Sequence, residues 1–219
     1  MKIPPNQAEY QHYIRKCEVW TFPSLLRSPV SIKSASNGTY VFWNPNMHFD
    51  PKGPLLTEDV IKDLNENDKQ LLSVGCGTAH LERLLVRRLG IRKEQITLAD
   101  RNPEYVPWHV RRRFKFYGFD MYGEWPQFGS PFDYVIFPYS IDLGKEFYER
   151  SVEQEKEGLL HIITNALDVL NVPGQLRADN VWATKSELQW VREQLSQRYL
   201  GVSLDDSTLF LLLITKDSL

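Results

Sequence analysis

Two glycines followed at a distance by aspartates are the residues whose spacing suggests chemistry. Gly75 and Gly77 directly follow the apolar run 71–74, and glycine allows backbone conformations and close approaches that a Cβ would forbid. Asp100 closes the next apolar run. A carboxylate at the tip of the second strand of such a unit can accept hydrogen bonds from ribose hydroxyls. The pattern therefore predicts a site for a ligand that contains a nucleoside.

The glycine spacing also indicates which nucleoside is bound. The dinucleotide fingerprint needs a small residue at its sixth position, where this chain has His80, so NAD is disfavoured. The segment Val74-Gly75-Cys76-Gly77-Thr78-Ala79 instead resembles the first motif of the class I, Rossmann-like S-adenosylmethionine-dependent methyltransferases, an acid, any residue and Gly-x-Gly-x-Gly. Ser73 stands in place of the acid, and Ala79 in place of the third glycine.

The resemblance covers about residues 68 to 216 and implies S-adenosylmethionine as cofactor. It implies that the Gly75 loop supports the methionine and ribose through its backbone and that Asp100 binds the ribose hydroxyls. It further implies that Asp120 and the N–H of Met121 bind the adenine. The complete set of expected cofactor residues is Gly75, Cys76, Gly77, Asp100, Arg101, Asp120, Met121 and Pro138.

No motif assigns a catalytic residue, but three candidates follow from position. Methyl transfer often needs a base or hydrogen-bonding group to align the acceptor. Tyr139 and Asp142 follow the fourth strand at the edge where donor and acceptor meet in this family, and His48 lies in an aromatic, proline-rich loop. That edge reads Phe137-Pro138-Tyr139-Ser140, which lacks the Asn/Asp-Pro-Pro pattern of base-amine methyltransferases and disfavours that reaction. The remaining histidines fit structural roles, and none has metal-ligand spacing.

The elements needed to position these residues alternate between strand and helix. We expect an α/β fold with a doubly wound, seven-stranded Rossmann-like sheet. Residues 1–67 are expected to form a helical and loop extension that serves as a substrate lid, and residues 68–219 the S-adenosylmethionine-binding core. Apolar periodicity and turn residues predict helices at 6–19, 55–64, 81–89, 103–113 and 159–170, and strands at 39–43, 71–74, 95–99, 114–119, 132–137, 176–182, 201–205 and 208–215. Gly90 is a predicted C-cap, residues 171–175 are a predicted turn, and Thr184 with Glu187 is a predicted capping box that begins a further helix.

Composition narrows the class of protein. The chain has 219 residues, of which 42% are hydrophobic, enough for one sizeable core. Cys17 and Cys76 show no pairing pattern, and no apolar segment has the length of a signal peptide or membrane span, so we expect a cytoplasmic protein that makes no membrane contact. The formal net charge of -2 gives no global attraction for polyanions. A small-molecule acceptor is therefore favoured.

Several alternatives stay open at this level. Arg87, Arg88 and the run 111–113 could contact a phosphate backbone, although arginines at helix C-termini are commonly solvated. The acceptor could thus be RNA, or a protein. The same cofactor type also serves aminopropyl and aminocarboxypropyl transfer. The chain could instead be a catalytically inactive nucleoside-binding protein, or a structural protein without cofactor affinity.

Overall fold

The computed structural model describes residues 33–34, 40–41 and 55–216, except 139, 142–150, 180, 182, 200 and 209–210. The helices are α1 Glu58–Glu66, α2 His80–Leu89, α3 Trp108–Arg111, α4 Val152–Asp168 and α5 Lys185–Arg198. The strands are β1 Lys33–Ser34, β2 Tyr40–Val41, β3 Leu71–Val74, β4 Ile96–Asp100, β5 Lys115–Gly118, β6 Phe132–Phe137, β7 Leu170–Asp179, β8 Val202–Thr208 and β9 Leu211–Lys216. Two short 3-10 turns span Lys93–Gln95 and Pro103–Tyr105.

Seven strands form one sheet in the order β5-β4-β3-β6-β7-β9-β8. Five of them, from β5 to β7, pair in parallel, whereas β9 runs antiparallel to both of its neighbours. The chain first builds outward from β3 to β5 and then returns to place β6 on the other side of β3. Ligands of open α/β sheets bind at the carboxyl ends of the strands at such a switch point. The β3–β6 junction is therefore where a site is expected.

Helices cover both faces of the sheet, because successive strand residues point to opposite sides. Leu72 and Val135 belong to a core cluster that includes α4 and α5. Leu71 and Ile136 belong to a second cluster that includes α1, α2 and the α3 segment. All residues of β3 and β4 are buried, as expected of strands covered on both faces. The predicted doubly wound, seven-stranded α/β fold is confirmed.

Local sequence signals fix several helix ends. The predicted capping box at α5 is present, since Glu187 N–H donates to Thr184 Oγ1 at 3.3 Å and Thr184 N–H donates to Glu187 Oε2 at 2.6 Å. Gly90 ends α2 in the left-handed conformation, with φ of +76°, as its position predicts. Ser151 and Gln154 form a second capping box, which begins α4.

Some predicted boundaries were wrong. The helix expected over 103–113 is divided into a 3-10 turn and the four-residue α3. Pro107 explains the break, because the residue before a proline is driven out of the helical region, and Val106 is extended. The turn predicted at 171–175 falls within the bounds of β7, and the register of β7 with β6 shifts there, because Leu170 pairs with Phe132 and the next pair is Gln175 with Tyr134. The helix predicted over 159–170 begins earlier and spans α4.

The N-terminal predictions fall mostly outside the described residues, including the helix at 6–19. The division at residue 67 stays a prediction, and α1, which lies before it, packs on the sheet through Val60 and Leu64. None of the helices that the structure describes combines the length and apolar character needed to cross a membrane.

Candidate functional site

The loop between β3 and α2 has an unusual backbone. Gly75, Gly77 and Ala79 have φ of +72°, +54° and +53°, in the left-handed region that L side chains rarely occupy. Gly75 is also sterically constrained, because a Cβ there would lie 2.2 Å from Cβ of Ser140. The first glycine is therefore required by both conformation and space. Ala79 shows that the missing third glycine does not prevent the left-handed backbone.

Hydrogen bonds tie this loop to the end of β4. The N–H groups of Gly75 and Cys76 donate to the carbonyl oxygen of Ala99 at 2.8 and 3.1 Å. The N–H of Gly77 donates to Asp100 Oδ2 at 2.8 Å. These three N–H groups therefore bond within the protein and hold the loop against the end of β4.

Asp100 lies at the last position of β4 and is only 8% exposed. Its two carboxylate oxygens each accept one backbone N–H, from Gly77 and, at 2.8 Å, from Asn102. Burial raises the pKa of this carboxyl, and the two backbone hydrogen bonds and nearby Arg101 oppose that rise. A carboxylate has about four acceptor sites, so about two are left after these bonds. The two hydroxyls of a ribose match that number.

Asp120 and Met121 follow β5 and lie near the same edge. Asp120 Oδ1 accepts the N–H of Tyr122 at 3.0 Å, and its Oδ2 lies 3.5 Å from Arg101 Nη1. The two predicted acids thus lie on adjoining loops, linked through Arg101. Met121 reaches the glycine loop, since its Cε lies 3.6 Å from the position that a Cβ at Gly75 would take. The predicted ribose and adenine residues therefore surround one edge of the sheet.

The end of β6 closes the other side of the switch point. Pro138 directly follows β6 and is half-buried. Ser140 Oγ donates to the carbonyl oxygen of Val74 at 2.7 Å, which joins the ends of β3 and β6 beside Gly75. Sequence reasoning missed Ser140, because nothing local distinguishes a serine that bonds to a strand so distant in the chain. The catalytic candidates Tyr139, Asp142 and His48 lie outside the described residues.

A buried acid lies beside Ser73, the residue that stands in place of the acid of the glycine motif. Ser73 Oγ donates to Glu82 Oε1 at 2.5 Å, and both residues are fully buried. Glu82 lies in the first turn of α2, where a carboxylate interacts favourably with the helix dipole. The pair joins the strand before the glycine loop to the helix after it. Sequence reasoning also missed Glu82, whose only signal was an acid in the first turn of a predicted helix.

Two titratable side chains in and next to the loop, Cys76 and His80, are uncharged at neutral pH. Burial, followed by the charges of Glu82 and Asp100, raises the pKa of the Cys76 thiol well above its usual value, so the residue is a poor nucleophile. Burial, followed by the charges of Arg83 and Arg87, lowers the pKa of His80 to about 4. His80 is thus uncharged at neutral pH. Neither side chain supplies charge to a ligand.

The other described histidines and the acids give no metal site. His161 Nε2 lies 3.0 Å from the carbonyl oxygen of Gly123 and 2.9 Å from Asn165 Nδ2, contacts typical of a structural histidine. His109 packs edge-on against the Trp108 ring. Over the part of the chain that the structure describes, no three His, Cys, Asp or Glu residues are grouped so that they could hold a metal ion.

Comparisons with known proteins give a likeness in structure only. No family model matches the sequence, and no curated protein matches it. The plantazolicin methyltransferase BpumL, solved with S-adenosylhomocysteine and a desmethyl-plantazolicin analogue, superimposes with a TM-score of 0.50 at 10% identity, over 71% of this chain and 80% of BpumL. The likeness shows that this chain and BpumL share a fold.

Two further solved structures show the same kind of likeness. CalS10 from Micromonospora echinaspora, an amino pentose methyltransferase, gives a TM-score of 0.48 at 13% identity over 72% of this chain and 89% of CalS10. The N-methyltransferase NodS from Bradyrhizobium japonicum WM9 gives 0.47 at 12% identity over 72% of this chain and 93% of NodS.

Proposed function

We propose that this protein binds S-adenosylmethionine and transfers its methyl group to an acceptor. The observation that carries the proposal is the bond between Gly77 N–H and Asp100 Oδ2. It joins the left-handed glycine loop to the acid of the next strand at the switch point of a methyltransferase-type sheet. The bond orients a buried carboxylate that still has acceptor sites for a ribose.

The residues at this edge fit the chemistry of the cofactor. We assign the ribose hydroxyls to Asp100, the adenine to Asp120 with the backbone of Met121, and the methionine ammonium to carbonyl oxygens of the loop at Gly75. Pro138 would lie beside the reacting centre. The cofactor supplies a methyl group already activated on a sulfonium, so the protein contributes mainly by holding donor and acceptor in line. Tyr139, Asp142 and His48 stay the candidates for a base.

Two acceptor classes are supported by different observations. The nearly balanced charge of the chain and the expected lid over residues 1–67 favour a small molecule. A cavity lined by arginines between α2 and α3 favours a nucleic acid as the second candidate. The absence of a cysteine pairing pattern supports a reducing, cytoplasmic setting for either reaction.

Product analysis tests the proposed reaction. The full-length protein is incubated with S-adenosylmethionine and either a small-molecule extract or total RNA, and the nucleoside product is identified by mass spectrometry. Methyl transfer predicts S-adenosylhomocysteine, formed in an acceptor-dependent way and reduced in Asp100→Asn. Methylthioadenosine as the product would instead show aminocarboxypropyl transfer and would overturn the proposal.

A further inference from the structure

A cationic cavity lies between α2 and α3, away from the glycine loop. Its volume is about 240 Å³. Its charged or titratable lining comes from Arg83, Arg87, Lys93, His109 and Arg113, and two valines and a phenylalanine form the apolar part. Lys93 and Arg113 precede β4 and β5, so the cavity extends toward the amino ends of the strands, whereas the glycine loop lies at the carboxyl ends.

The arginines of this cavity have no acidic partner among the described residues. None of the described residues that line it is a carboxylate, and the described ion pairs do not involve Arg83, Arg87 or Arg113. Burial, together with the charges of Arg87 and Arg113, lowers the pKa of Arg83. Like charges held this close repel one another. An anion in the cavity would relieve that repulsion, and phosphate is the anion that arginine binds best through paired hydrogen bonds.

An exposed aromatic ring adjoins the same cavity. Trp108 is 64% exposed and is, with Val172, one of two large hydrophobic side chains exposed among the described residues. Its ring centroid lies 5.6 Å from the guanidinium carbon of Arg112 and 6.2 Å from the ring of His109, which lines the cavity. An exposed indole has a face on which a nucleobase can stack, and stacking beside cations is the usual arrangement for binding single strands.

We propose that the α2–α3 surface, consisting of the cavity and Trp108, binds a single-stranded nucleic acid. One backbone phosphate would occupy the cavity beside Arg83, Arg87 and Arg113, and a neighbouring base would stack on Trp108. A free phosphate would account for the cavity but not for the exposed indole next to it. The surface is separate from the glycine loop, so this binding does not depend on the proposed methyl transfer.

Fluorescence anisotropy with a labelled oligouridylate of about 12 nucleotides tests the proposal. We expect Arg87→Glu/Arg113→Glu to raise the dissociation constant at least 10-fold, and to reduce the slope of log affinity against log salt by about 0.7 for each phosphate that the variant no longer neutralises. Trp108→Ala should raise the dissociation constant about 5- to 150-fold, and Trp108→Phe much less.

The matched control is Lys185→Glu/Arg198→Glu, which changes the same net charge on α5 and should bind like the unmodified protein. The proposal is overturned if the unmodified protein does not bind the oligonucleotide, or if the two double variants bind it equally. It is also overturned if heparin or an acidic peptide competes but Trp108→Ala has no effect, which would indicate an acidic protein partner. Each variant is also titrated with S-adenosylhomocysteine. This titration distinguishes a loss of cofactor binding from a loss of oligonucleotide binding at the α2–α3 surface.

Discussion

Replacing Asp100 by asparagine should weaken cofactor binding in addition to lowering the stability of the fold. The carboxylate accepts N–H groups from Gly77 and Asn102, one on each oxygen. In Asp100→Asn the new amide group carries donors where one of those oxygens stood, so one buried N–H and one ribose hydroxyl lose their acceptor. A hydrogen bond to a charged acceptor contributes about 1.5–3 kcal/mol. The dissociation constant for S-adenosylhomocysteine should therefore rise about 10- to 150-fold.

Asp133→Asn is the matched control for this substitution. Asp133 Oδ2 accepts the N–H of Gln70 at 2.8 Å, and its Oδ1 accepts Asn171 Nδ2 at 3.0 Å. It lies near the start of β6, at the amino ends of the parallel strands, whereas the glycine loop lies at their carboxyl ends. Both variants should lose about 1–3 kcal/mol of unfolding free energy, measured by urea titration. Only Asp100→Asn should lose affinity in calorimetric titration, and an affinity within twofold of the unmodified protein, or equal losses in both variants, would refute the ribose assignment.

Three further predictions concern the same loop. Gly75→Ala should lower the melting temperature and abolish cofactor binding, because the new methyl group meets Ser140 at 2.2 Å; an unchanged melting temperature would contradict the packing described here. Ser73→Ala should lower the unfolding free energy by about 1–3 kcal/mol in urea titration, since it removes a donor from the buried Glu82 carboxylate, whereas Ser73→Thr, which keeps a hydroxyl, should lose less. The folded-state pKa of His80 is about 4, against an ordinary value of 6.5, so the unfolded state takes up this proton first. The free energy of unfolding should therefore fall as the pH falls from 6.5 to 4. We expect a loss of about 1–2 kcal/mol, which is smaller than the full pKa shift implies because solvent screens a half-buried ring. His80→Gln should show a smaller loss over that range, and an identical pH dependence in both proteins would contradict the shift.

The sequence predicted the elements best where hydrophobic period and turn chemistry agreed. The apolar run before Gly75 became β3, and the helix that ends at Gly90 became α2. Pro107 was a local signal against a continuous helix at 103–113. The prediction gave more weight to the apolar and aromatic residues on both sides of Pro107 and was therefore wrong. The start of β7 could not be predicted in this way, because Leu170 belongs to the strand through its pairing with Phe132, and continuous pairing with β6 resumes only at Gln175.

The sequence predicted the glycine loop and Asp100 of the candidate site, but it did not predict the side chains that support them. Asp100 could be predicted because a strand end and a glycine loop restrict its position. Glu82 and Ser140 act through contacts set by tertiary packing, the first with Ser73 and the second with the carbonyl group of Val74. The cationic cavity also depends on packing, since it forms only when α2 and the segment after α3 place Arg83 and Arg113 around the same space.

Isothermal titration of the full-length protein with S-adenosylhomocysteine tests the central claim most directly. The same titration with NAD serves as the comparison, because His80 occupies the position that a dinucleotide site reserves for a small residue. The proposed site predicts saturable binding of S-adenosylhomocysteine with one site per chain and no binding of NAD. No detectable binding of S-adenosylhomocysteine, or tighter binding of NAD, would contradict the assignment of the glycine loop and Asp100 as a methyl-donor site.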